Sequence, residues 1–329
     1  MRESKVLVWL GISLIAFLGL TAHQGHAASP PKMIFKIAAG NVGGTWFIYA
    51  GRMAEIINKN IPEFNVSATT GGAVINPKTI HDGTTPIGMV NVWPACEAWK
   101  GNLPFKGEAK KLRFVMSFFP ALFHPVVNSK SSLRKWEDLK VKGYNINVMA
   151  ATSFDWTGKV LTYYGISYDD VKKVRGQVSM LSMINAAEPF IDGKLDYFTV
   201  IGPYREPTLL QIDRDPGFRY LEISPDVMNK ILANEDGVVT GVVPKGTYKS
   251  LDRDATLIGT MNAVFANGDF SEEVVYHFTK TIAQHLDSLN EVIPEGLKVK
   301  REGLVAGRPM NVPIHSGAMK YYKEAGLLK

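Results

Sequence analysis

Short apolar runs along the chain alternate with stretches in which apolar positions recur every three or four residues, a pattern that predicts strands each followed by a helix. An apolar strand beginning near Ile34 breaks at Gly40. After Gly43-Gly44-Thr45, the residues Tyr49, Met53, Ile56 and Ile57 share one helical face, and Pro62 marks the exit. A strand over 64–69, a Thr70-Gly71-Gly72 turn, a helix near 76–81 and an apolar strand over 86–92 follow. Residues 111–127 read as long extended chain, with Pro120 and Pro125 marking a bend between domains.

A second α/β region starts near 126. It comprises a strand over 144–149, a loop with Ser153 and Asp155, and a helix over 156–164 closed by Gly165. A helix over 180–190 places Leu181, Ile184 and Ile191 on one face. A strand over 195–201 then runs into Gly202-Pro203-Tyr204, and a strand over 218–223 and a helix over 226–233 complete the region. Return segments at 238–243 and 255–266 lead to a long helix with Ser271 as N-cap and Glu272 and Glu273 in its first turn. Val274, Val275, Phe278, Ile282, Leu286 and Leu289 form its core stripe. The fold class is α/β, two mostly parallel sheets flanked by helices, and two facing lobes make a cleft.

Such sheets bind ligands beyond the carboxyl ends of their strands, so the turns there carry the candidate chemistry. Gly43, Gly44, Thr45, Trp46 and Phe47 come first: paired glycines admit a ligand close to the backbone, a helix start offers unpaired N–H groups, and its dipole favours an anion. Gly72 and Asn76, Asn91 and Trp93, Ser153 and Asp155, and Gly202, Tyr204 and Arg205 end other strands in the same way. Asp155 has two readings, a partner for a ligand ammonium or hydroxyl, or a cap on the helix beginning at Trp156. Arg205 and Arg175 are candidates for pairing with a carboxylate. His124 reads as packed or hydrogen-bonded at the crossing between lobes.

Before all of this, Arg2 and Lys5 precede a nearly uninterrupted apolar run over 6–22 that ends in Gly25-His26-Ala27, the pattern of an export signal over 1–27. Removing it changes the formal net charge from +6 to +5, with acids and bases interleaved and no basic stripe for nucleic acid. The 46 % hydrophobic and 21 % charged composition fits a globular chain with no low-complexity or repeat signal. The single cysteine, Cys96, excludes an internal disulfide; it reads as buried and inert, and it stands far from the position a lipoprotein requires. Enzyme signatures are missing. The glycines match neither GxGxxG nor a P-loop, no GxSxG elbow is present, and His81, His124, His277, His285 and His315 lack metal spacing. No cofactor and no metal are expected.

Taken in order, GNVGGTWFIYAG, TTGGAVIN, SSLRKWEDLKVKG, IDGKLDYFTVIGPY, VVPKGTY, FSEEVVYHFTKTI and VPIHSGAMKYYKEAGL resemble the TAXI-type solute-binding receptors of TRAP transporters. The resemblance implies a type II-like periplasmic-binding-protein fold, with lobe 1 over 28–125 plus about 245–329 and lobe 2 over 126–244. Crossing segments then fall near 120–127 and 238–266. It implies a monomeric periplasmic receptor that binds a small organic acid or amino acid and delivers it to TRAP membrane subunits, fused or as separate small and large chains. The alternatives are a receptor feeding a sensor and a secreted enzyme of similar fold. Trp46 and Phe47 stand where that family usually has tyrosines, which makes the wall more apolar. MAATSFDWTG departs from its glycine-rich turn and brings Asp155 to that position.

Overall fold

A computed structural model describes residues 33–149, 153–293 and 297–329; the export signal expected over 1–27 lies outside the described residues. In the first part of the chain, β1 (Met33–Ala38), α1 (Thr45–Asn60), β2 (Phe64–Thr69), α2 (Ile75–His81), β3 (Ile87–Asn91) and α3 (Val92–Lys100) precede a 17-residue strand, β4 (Leu112–Asn128). A second series follows: β5 (Asn145–Asn147), α4 (Trp156–Tyr163), α5 (Tyr168–Lys173), β6 (Gln177–Ser179), α6 (Met183–Ile191), β7 (Tyr197–Gly202), α7 (Pro207–Ile212), β8 (Phe218–Tyr220) and α8 (Pro225–Asn234). The chain then returns through β9 (Val238–Val243) and β10 (Ala255–Asn267) before closing with α9 (Glu272–Gln284), α10 (Leu286–Asn290) and α11 (Ser316–Glu324). No helix of the described residues is long and apolar enough to cross a membrane.

The two expected sheets are joined edge to edge in the order β2-β1-β3-β10-β4-β7-β5-β6, with β8 also pairing β4 and β9 pairing β10. Reading outward from the centre, β10-β3-β1-β2 and β4-β7-β5-β6 are one arrangement used twice, although the sequence carries no repeat signal. Its trace is short: Ile75-Asn76 precedes Asp82-Gly83 much as Ile184-Asn185 precedes Asp192-Gly193. Within each half the outer strands are parallel, while β10 and β4 run antiparallel to the strands they meet.

Pro120 and Pro125 lie inside β4. The strand accommodates them because it changes partners there: β10 pairs with Leu112 to Leu122, and β7 pairs with Leu122 to Val127. The helix expected over 180–190 also differs. Ser182 accepts a hydrogen bond from the Asn185 N–H, so α6 starts at Met183 and turns Ala186, Ala187 and Phe190 inward. Leu181 and Ile184 are left at the surface. Ser271 caps α9 as expected, accepting from Val274 N, but that helix ends at Gln284, and Leu286 and Leu289 belong to α10.

One apolar cluster joins α1, α9 and α11 to the first half of the sheet, with Tyr49, Met53, Ile57, Phe278, Ile282 and Tyr322 buried at its centre. On other faces, α3, α4 and α8 pack around Trp93, Trp136 and Trp156, and α6 and α7 pack around Phe190 and Phe198. Cys96 is buried in α3, where burial pushes its thiol pKa well up and leaves it unreactive. His124, on β4, is fully buried: its Nε2 donates to the Pro203 carbonyl (3.1 Å), and its Nδ1 accepts from the Tyr220 hydroxyl (2.9 Å).

Two predictions follow from buried polar groups. Burial lowers the His124 pKa from 6.5 to about 4, so the folded state holds this ring neutral. Its contribution is complete above about pH 6.5 and is lost as pH falls toward 4, a penalty of about 3 kcal/mol. His315, lowered in the same direction by burial, adds to the trend. Urea unfolding of His124→Gln at neutral and mildly acidic pH is expected to show a lower stability at neutrality but a clearly shallower acid loss than the parent. The second concerns Tyr49, whose ring meets Phe119 edge-on at 5.3 Å while its buried hydroxyl has no hydrogen-bond partner among the described residues. An unsatisfied hydroxyl is a cost, so Tyr49→Phe is expected to match or exceed the parent's stability, by up to about 1 kcal/mol, in calorimetry.

Candidate functional site

Strand register sets the carboxyl ends of the two halves against one another. β3 ends at Asn91, opposite Asn262 of β10, and β7 ends at Gly202, opposite Leu122 of β4, which itself faces Gly259 of β10. The two ends therefore approach the same short section of the crossing strands from opposite directions, roughly 10 Å apart along β10. β1, β2 and β3 run parallel to one another on one side of the crossing strands, and β5, β6 and β7 do so on the other.

On the first side, α1 begins without a side-chain cap and without an acidic residue in its first turn. Gly43, with φ of +80°, makes the turn in a conformation that other residues rarely adopt. The Gly44 N–H bonds back to the Asn41 carbonyl, and no side chain caps the α1 N-terminus beyond it. Thr45 is exposed, and Trp46 and Phe47 are half-buried. The Trp46 indole donates through Nε1 to Asn262 Oδ1 (2.8 Å), the same oxygen that accepts from Asn91 Nδ2 (3.1 Å), while Asn262 Nδ2 donates to the Phe119 carbonyl (3.0 Å). Asn262 thus ties the α1 N-terminus, the end of β3 and the middle of β4 to one amide. The sequence reading missed it, because a single asparagine inside an apolar strand carries no local signal.

Asn76 is fully buried and serves the backbone: its Nδ2 donates to Ala39 (2.8 Å) and Met89 (2.7 Å), and its Oδ1 accepts from Gly72 N (2.9 Å). A Cβ on Gly71 would lie 2.0 Å from that Oδ1, so the glycine is required for the amide to enter the turn. Asn76 holds the ends of β1 and β3 against the turn after β2.

The second side is pinned differently. His124 holds the Pro203 carbonyl, and the Tyr248 hydroxyl donates to the Tyr204 carbonyl and accepts from the Glu206 N–H, both at 2.9 Å. Glu206 caps α7, and burial raises its carboxyl pKa. Gly202 and Tyr204 are half-buried at this edge, and Arg205 is exposed beside them. Arg175 stands two positions before β6, at the amino end of that strand, and so lies away from the facing edges. Of the two readings of Asp155, the cap is the one seen: Oδ1 accepts from Gly158 N (2.8 Å) and from the Tyr168 hydroxyl (2.6 Å). Ser153 lies half-buried just before it.

Trp93 is fully buried. Its ring meets Phe154 at 5.1 Å and Trp156 at 4.8 Å, both edge-on, and its Nε1 donates to Glu235 (2.9 Å). Beside this aromatic contact, Lys159 of α4 pairs with Glu97 of α3 and lies 3.5 Å from Glu235. The Tyr163 hydroxyl also donates to Glu235 (2.9 Å), and Asn102 donates to Glu97 (3.2 Å). The Glu97 side chain is only 1 % exposed. This network, invisible in a sequence that separates its members widely, fastens α3 to α4. A cavity of about 580 Å³ opens next to it, walled by Leu103, Pro104, Phe154, Leu161, Ile166 and Tyr168; Asp155 alone of the candidate residues touches it. Among the described residues no group of His, Cys, Asp and Glu is placed to hold a metal.

The architecture has counterparts. A solved structure of a protein from Bordetella bronchiseptica RB50 is 12 % identical over 90 % of this chain and 98 % of that one, with a TM-score of 0.51. A protein of Xanthomonas citri bound to ATP is 10 % identical over 89 % and 96 %, with a TM-score of 0.49. The alkanesulfonate-binding protein of Xanthomonas axonopodis pv. citri bound to MOPS is 16 % identical over 92 % and 82 %, with a TM-score of 0.44. The Bordetella likeness is one of fold. A family model described as NMT1-like matches residues 37–326, from within β1 to just past α11, and the chain belongs to that family.

Proposed function

We propose that the chain is an extracytoplasmic solute receptor that binds a small organic acid or amino acid between the facing carboxyl edges of its two halves. The observation that carries this reading is the meeting of the β3 and β7 ends across β4 and β10, with the uncapped start of α1 on one side and Arg205 on the other. Backbone N–H groups and the helix dipole supply the attraction for a carboxylate, and the half-buried Trp46 and Phe47 rings wall the site. In this reading the work of the site is binding.

In this reading, residues 28–125 with about 245–329 form one lobe and 126–244 the other. Ligand contacts from both edges stabilise the closed arrangement. The order of motifs from GNVGGTWFIYAG to VPIHSGAMKYYKEAGL supports assignment to the TAXI type and, with it, a monomeric periplasmic receptor that delivers its solute to TRAP membrane subunits.

The test is thermal unfolding of the purified protein against monocarboxylates, dicarboxylates, 2-oxo acids, aromatic acids and amino acids. A ligand at a hundred times its dissociation constant adds about 2.7 kcal/mol, so one class is expected to raise Tm by several degrees and to shift tryptophan emission through Trp46. A folded, ligand-free protein that responds to none of them defeats the proposal. Separately, Lys159→Met leaves the buried Glu97 carboxylate without its counter-charge and is expected to cost about 3 kcal/mol in urea unfolding. Glu97→Gln combined with Lys159→Met is expected to recover most of that loss.

A further inference from the structure

The cavity beside the contact of α3 with α4 joins two stretches that lie far apart in the chain. Leu103 and Pro104, in the segment leaving α3, contribute part of its apolar lining, and Phe154, Leu161, Ile166 and Tyr168, around α4 and the start of α5, contribute the rest. Its volume of about 580 Å³ falls within the range of about 300–1,000 Å³ that small-molecule sites occupy. None of residues 43–47 or 202–205 lines it.

Hydrogen-bond donors on this wall are already engaged. Lys159, its one cation among the described residues, is paired with Glu97 and lies 3.5 Å from Glu235. Asn102 donates to Glu97 (3.2 Å), the Thr162 hydroxyl to the Lys159 carbonyl (2.7 Å), the Ser167 hydroxyl to Asp170 (2.7 Å) and the Tyr168 hydroxyl to Asp155 Oδ1 (2.6 Å). The acceptor side is different. Asp155 Oδ1 also takes the Gly158 N–H (2.8 Å), but Oδ2 receives no hydrogen bond and the carboxylate no cation among the described residues. A Cβ on Gly158 would stand 2.1 Å from that Oδ2, and Gly158 itself lines the cavity, so the glycine makes room for the oxygen at the wall.

We propose that this cavity is a second binding site, independent of the receptor reading above, for a small molecule that joins an ammonium group to an apolar body. The ammonium donates to Asp155 Oδ2 while the body lies against Leu103, Phe154, Leu161 and Ile166. An anion would meet a carboxylate and no free donor, and a wholly apolar guest would leave that carboxylate dehydrated and unpaired.

The experiment is calorimetric titration of the purified protein with 2-phenylethylamine and hexylamine, compared with methylamine and 3-phenylpropionate and repeated on Asp155→Asn and Thr162→Phe. Asparagine caps helices as aspartate does, so α4 keeps its start. Thr162 is exposed, and its replacement gives up one hydroxyl bond to place a ring in the cavity. The parent is expected to bind the two apolar amines about tenfold or more tightly than methylamine, and 3-phenylpropionate not measurably. Asp155→Asn is expected to weaken both amines by roughly tenfold to a hundredfold, and Thr162→Phe to block them while melting as the parent does. Failure of both amines to bind, equal binding of 3-phenylpropionate, or binding that neither substitution alters overturns the proposal. Each of those outcomes leaves the facing carboxyl edges and their carboxylate panel as they were.

Discussion

The register between β4 and β10 is the constraint on which the rest of this molecule depends. Each strand is hydrogen-bonded to the other from Leu112 opposite Asn267 to Leu122 opposite Gly259, and each also carries strands of its own. Side chains alternate across a strand, so a slip of one residue would exchange the side chains that β4 and β10 pack on the two faces of the sheet, both of them buried. It would also part Asn262 from Trp46, Asn91 and the Phe119 carbonyl, which together anchor the first edge of the opening. Precision at the site is thus inherited from the sheet rather than from the loops that line it.

Around that centre the polar side chains are used economically. Asn76, Asn262, His124 and Tyr248 all lie buried and direct their hydrogen bonds to backbone or to neighbouring side chains, which fixes turns that would otherwise be free to move. Farther out, a chain of ring contacts runs from Trp93 to Trp156, Phe123, Trp136 and Tyr164. The paired Glu97 and Lys159 sit beside its Trp93 end. A buried ion pair of this kind contributes less to net stability than its Coulomb attraction implies, because both groups lose hydration. Its geometric effect is larger: only one relative placement of α3 and α4 satisfies it.

Much of the architecture was legible because it is written locally. The strands at Phe64–Thr69 and Val238–Val243 fall where alternation and flanking turns placed them, and Ser271 announced α9 through its position ahead of two glutamates. The burial of Cys96 was also readable from its neighbours, and the cap at Asp155 was one of two readings its position allowed. What escaped is non-local or ambiguous. α3 is apolar nearly all round and carries Pro94 in its first turn, where proline is tolerated, so its pattern resembled the end of a strand. Leu181 and Ile184 fit a helical core stripe, but the Ser182 cap starts the helix at Met183, which leaves Leu181 ahead of it and Ile184 on its outer face. β6, only three residues long, leaves too short a pattern to recognise, and nothing near Glu97 points to Lys159.

Placing β10 at the centre of the sheet has a consequence for how the molecule assembles. Asn91 waits for Asn262, 171 positions later, and Trp46 for the same residue 216 positions later. The apolar face of α1 likewise remains uncovered until α9 and α11 arrive. Strands β5 to β8, by contrast, find partners within a continuous stretch that β4 already borders. A chain emerging from its amino end therefore begins with the half that must be finished last. Contacts of such long sequence separation form slowly because a large loop must close first, so the early half is expected to complete its packing after the later one.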